Sequence, residues 1–144
     1  MTTEQDILRE GLDLYGLKEV PGEDNNPEIM RMFSDIGHSW VQGDETAWCS
    51  AAMNWIAYKL GLDMSGSLLA RSWLDVGLEV RDPEPGNIVI FWRRQVESQW
   101  GHVGIYIKER HGLIYTLGGN QGNEYNISPY PGGRVLGYRK LRPA

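Results

Sequence analysis

The chain has 144 residues, with 14 Lys and Arg against 19 Asp and Glu, a net charge of −5, and it is 41% hydrophobic. That length suits one domain with a core of its own, and the composition is that of a globular protein rather than a disordered one. The acidic balance excludes a non-specific nucleic-acid binder, no apolar run is long enough to insert in a membrane, and a lone cysteine excludes an intramolecular disulfide or a cysteine-rich zinc cluster.

In chain order, the first element is a helix. Thr2 or Thr3 caps it, Ile7, Leu8, Leu12 and Leu14 recur near helical spacing, and Gly16 ends it. The segment 20–26 is a loop by composition. Asn26-Pro27-Glu28 opens a second helix: the Asn side chain accepts orphan N–H bonds, Pro suits the first position and Glu matches the dipole. Ile29, Met32, Phe33 and Ile36 form its buried face. A third helix is predicted over Cys49–Leu60, stopped by Gly61, and a fourth over Leu68–Val76.

Beyond residue 80 the pattern becomes extended. Pro85-Gly86 is a turn, and Asn87–Trp92 reads as a buried strand. His102–Lys108 and Leu113–Leu117 are two strands joined by a turn at Glu109–Gly112. The segment Gly118–Asn123 is a loop requiring unusual backbone angles, and Val135–Arg139 is the last strand. Helices first and antiparallel strands second predict an α+β fold, with N-terminal helices packed on a C-terminal antiparallel sheet.

Three residues carry candidate chemistry. Cys49 stands at a predicted helix start, where the dipole and free N–H groups lower a thiol pKa; a small buried hydrophobe is the alternative. His102 opens a strand between Gly101 and Gly104 and could take a proton from a thiol on a helix packed against that sheet. A structural histidine is the bland reading. Asn120, one hairpin later, could orient the imidazole in a Cys-His-Asn arrangement; the competing reading is a turn asparagine with positive φ. His38 and His111 are weaker candidates. No metal-ligand spacing is present, and no cofactor is expected.

Together the segments 46–55 (TAWCSAAMNW), 85–91 (PGNIVIF), 101–106 (GHVGIY) and 117–121 (LGGNQ) resemble bacterial and phage cell-wall cysteine peptidases of the NlpC-type/CHAP superfamily (cysteine, histidine-dependent amidohydrolases/peptidases). The resemblance implies a papain-like fold in one catalytic domain, 1–144, with a helical lead-in at 1–44 and the core at 45–144. It implies Cys49 as nucleophile, His102 as general base and Asn120 as third member. Where relatives carry Asp after Pro-Gly, this chain has Asn87, and where some carry a glutamate two residues before an asparagine, it has Gly118.

The implied reaction is amide hydrolysis in peptidoglycan, with the oxyanion held by the Cys49 N–H and by Gln42. Trp48, Trp73 and Trp100 are expected as cleft walls with Gln121 as a substrate contact, while core packing is the expectation for at least two of Trp40, Trp55 and Trp92. An inactive cell-wall peptide-binding module and a cysteine amidase or transferase acting on proteins are the competing readings. Met1–Glu10 is acidic and has no apolar core, so a chain made in the cytoplasm is expected. Action in the periplasm or cell wall would follow export by a holin or a secretion apparatus. A monomer is expected, with an immunity protein in the producer if it is an injected effector.

Overall fold

The computed structural model describes residues 2–20, 26–38 and 48–144. Among these residues three helices precede a six-stranded antiparallel sheet: α1 (Thr3–Asp13), α2 (Pro27–Asp35), α3 (Cys49–Leu60), then β1 (Leu78–Val80), β2 (Ile88–Trp92), β3 (Gly101–Arg110), β4 (Leu113–Gln121), β5 (Glu124–Pro131) and β6 (Val135–Lys140). The strand order is β1-β6-β2-β3-β4-β5, and the sheet stays open. The fold is α+β and papain-like in its order of elements.

Local chemistry sets the helix ends. Thr2 and Gln5 form a reciprocal capping box on α1. Asn26 Oδ1 accepts from the N–H groups of Glu28 (2.9 Å) and Ile29 (3.4 Å) on α2. Gly61 ends α3 with φ of 69°, a left-handed conformation that glycine adopts without a Cβ penalty. The inward face of α1 is Glu4, Ile7 and Gly11, while the expected stripe residue Leu12 is half exposed. Gly11 permits close approach to the sheet: a Cβ there would lie 2.7 Å from Ile105 Cδ1.

The expected fourth helix is a 3₁₀ turn over Ala70–Asp75. Ser72 Oγ donates back to the Leu69 carbonyl (2.6 Å), a local bond that competes with α-helix, and Trp73 is drawn into the core. The β3–β4 turn is only His111-Gly112, with φ of 53° and 76°, the positive pair a two-residue hairpin needs. The segment expected as a loop at 118–123 is instead the end of β4 and a second tight turn, Gly122-Asn123, leading into β5.

One core lies between the helices and the sheet, with Ile7, Phe33, Trp48, Ile56, Trp73, Ile90, Val103 and Leu117 buried together. A smaller cluster of Val89, Phe91, Tyr106 and Ile114 covers the opposite face. Burial of β2 from both sides explains its unbroken apolar run.

Candidate active site

The site forms where two strands part. In β3, Tyr106 bonds toward β2, donating to the Asn87 carbonyl (2.8 Å) and accepting from Gly86 N–H (3.1 Å). Alternation then points the Val103 amide toward β4. The β3–β4 ladder begins only at Ile105↔Leu117, so that amide has no strand partner. The start of α3 enters this opening. Trp48 lies on Gly119, where a Cβ would sit 2.6 Å from the indole ring, and Cys49 reaches the backbone of Val103.

Cys49 is the first residue of α3, and no side chain among the described residues caps the helix. Burial alone would raise its thiol pKa. The His102 imidazole, by charge and by hydrogen bonding, and the backbone N–H groups of Val103 and Ser50 outweigh that, so the pKa lies below its ordinary value.

His102 stands beside Val103 on β3 and is buried. Its Nε2 lies 2.9 Å from Gln121 Oε1. The Gln121 amide orientation is fixed by its other end, since Nε2 donates to the carbonyls of Asn126 (2.8 Å) and Thr116 (3.1 Å) and to Asn126 Oδ1 (2.9 Å). The amide oxygen can only accept, so His102 Nε2 carries the proton. Nδ1 is left for the sulfur. Tyr130 stacks on the imidazole with ring centroids 4.9 Å apart. Burial, then the nearby Cys49 charge, pushes its phenol pKa up to about 12, so it remains a neutral O–H.

The amide at the imidazole is therefore Gln121, not Asn120. The β4–β5 register slips between Gly118 and Gln121, and Asn120 takes φ of 59°. That bulge turns Gln121 toward the histidine, in space left by Gly118, whose added Cβ would be 3.0 Å from Oε1. Asn120 lines the adjacent pocket instead. Glycine-glycine before an asparagine signalled the positive φ, but nothing local announced which neighbour would face inward.

The tryptophans also sort differently. Trp48 and Trp73 are fully buried and wall no cleft. Trp48 Nε1 donates to Glu19 Oε1 (2.5 Å), and Trp73 Nε1 donates to Ser50 Oγ (3.0 Å). Trp100 is exposed, with Arg94 over its ring at 5.2 Å. Trp55 packs at the core margin and donates to Asp35 Oδ2 (3.0 Å). Trp92, one of the three tryptophans of which at least two are expected in the core, lines a pocket of about 240 Å³ whose wall includes His102, Gln121 and Tyr130. Gln42 and Trp40 lie outside the described residues. His38 Nε2 lies 2.9 Å from the Gly66 carbonyl, and His111 occupies the hairpin turn.

Two solved structures share this fold. One is described as similar to a lipoprotein of the NLP/P60 family from Staphylococcus aureus, with a TM-score of 0.59 and 20% identity over 96% of this chain and 41% of that one. The other is NlpC1 from Trichomonas vaginalis, with a TM-score of 0.58 and 17% identity over 97% of this chain and 44% of that one. The chain thus spans less than half the length of either. No curated protein matches it at a significant level. The CHAP domain model matches residues 41–120, more than half of the sequence, with Cys49 and His102 inside the match. By that match, and with a cysteine–histidine pair at its centre, the chain belongs to the CHAP domain family.

Proposed function

We propose that this chain is a cysteine hydrolase that cleaves an amide bond of peptidoglycan. The observation that carries the reading is the Cys49 sulfur, acidified at a helix start, against a His102 ring whose far nitrogen is held by Gln121.

In this reading His102 Nδ1 takes the thiol proton and the thiolate attacks the amide carbonyl. The tetrahedral oxyanion is met by the Cys49 N–H, one of the first-turn donors that a helix leaves unpaired. The C–N bond breaks as His102 returns the proton to the leaving amine. Water, activated by the same ring, then releases the acyl group and the thiol. Gln121 keeps the ring in one tautomer throughout. The support for a peptidoglycan substrate is membership of the CHAP family. We propose further that the chain acts on the wall from outside the cytoplasm, as an endolysin or a delivered effector. A delivered effector would have an immunity protein in its producer.

Cys49→Ala and His102→Ala should each lower release of free amines from purified sacculi by at least about a thousandfold, with circular dichroism unchanged. Release at the wild-type rate from either variant would overturn the assignment. Mass spectrometry of the digested muropeptides then identifies the bond.

A further inference from the structure

The pocket beside His102 is lined by two cationic side chains. The chain carries −5 overall. Yet Arg93 and Arg134 both line this pocket, and among the described residues no carboxylate lines it and no ion pair uses either arginine.

Both arginines are placed by the sheet. Arg93 directly follows β2. Arg134 directly precedes β6, and the pairing of Phe91 with Val135 brings the two to one end of adjacent strands. Arg134 stacks over Trp92 at 5.1 Å, which leaves the edge donors of the guanidinium free to bind. The loop carrying Arg93 is braced. Arg71 donates to the carbonyls of Trp100 (2.8 Å), Val96 (2.8 Å) and Gln95 (3.0 Å), while Ser98 Oγ donates to the Arg93 carbonyl (2.7 Å). Two guanidinium groups in one concavity, neither in an ion pair among the described residues, match a carboxylate, which accepts parallel N–H bonds from a guanidinium fork.

We propose that Arg93 and Arg134 form a carboxylate-binding subsite for the half of the substrate that leaves as the amine. The inference rests on the hydrolase reading for its orientation. His102 lines the pocket and Cys49 does not, and His102 is the group that protonates the leaving nitrogen. The preferred substrate is therefore a peptide whose amine-side fragment bears a free carboxylate close to the scissile bond.

The test is a binding measurement, independent of turnover. Full-length Cys49→Ala protein is titrated with the peptidoglycan stem tetrapeptide L-Ala-γ-D-Glu-L-Lys-D-Ala and with the same peptide converted to carboxamides, following Trp92 by fluorescence against a Trp92→Phe control. The acid form should bind at least about tenfold more tightly, and adding Arg93→Gln and Arg134→Gln should erase that difference while the carboxamide affinity stays put. Equal affinity of the two peptides, binding of neither, or a preference that survives the double substitution would overturn the subsite. The hydrolase reading is judged separately by sacculus digestion with the wild-type chain, so either idea can fall alone.

Discussion

Gln121 makes its contribution through one atom. Its Oε1 holds the His102 Nε2 proton, and its own Nε2 is spent on acceptors of Thr116 and Asn126. Gln121→Ala should therefore lower kcat about ten- to a hundredfold with little change in KM, because the imidazole loses its fixed tautomer. Asn120→Ala should leave kcat close to wild type, and the opposite ranking in steady-state kinetics would return the orienting role to Asn120. The depressed Cys49 pKa makes a second prediction. An acid whose folded pKa is lowered keeps its charged form to lower pH, so the iodoacetamide labelling rate should fall only below the usual thiol range. His102→Ala should move that midpoint upward, and an unmoved midpoint would remove the imidazole from the sulfur's surroundings. Cys49 and His102 were legible in the sequence because each sits at an element start whose signals are local. Gln121 was not, since a one-residue bulge decides which of two adjacent amides faces the ring. Trp48 and Trp73 lie in the core rather than along a cleft, because burial is a tertiary property that composition does not report.

At the scale of elements, the entry of α3 between β3 and β4 depends on small residues. A methyl group on Gly119 would meet the Trp48 ring at 2.6 Å, with the ring enclosed in the core. Gly119→Ala should cost about 1–3 kcal/mol, read as a lower denaturation midpoint at constant m-value. Ser50 joins α3 to its surroundings by donating to the Ser67 carbonyl (2.7 Å) and accepting from Trp73 Nε1 (3.0 Å). Ser50→Ala leaves that buried indole N–H without its acceptor and should cost a similar amount. A wild-type midpoint in chemical denaturation would contradict either. The three helices and the central strands were legible from caps and periodicity. β5 was not: it contains Pro129 and Pro131 and alternates polar residues, which an edge strand tolerates and a sequence pattern reads as coil.

Across the whole molecule, the last strand in the chain is not at the sheet's margin. β6 lies between β1 and β2, and Leu141 just beyond it is buried in the main core. Removing residues 135–144 would strip the outer ladder from β2, the strand that pairs with the histidine strand. The truncated chain should show no cooperative thermal transition, and a native-like one would show that the sheet is complete without β6. This placement was invisible in the sequence, because the alternation of Val135–Arg139 says that a strand forms but not which neighbours it takes.

The single cysteine of this protein has one further use. Its acidity exists only while a helix tip, a parted pair of strands and an imidazole are assembled around it, and a denatured molecule carries an ordinary thiol. Thiolate absorbance at a pH below the ordinary thiol pKa should thus fall as molecules unfold, giving each preparation a built-in gauge of its folded fraction.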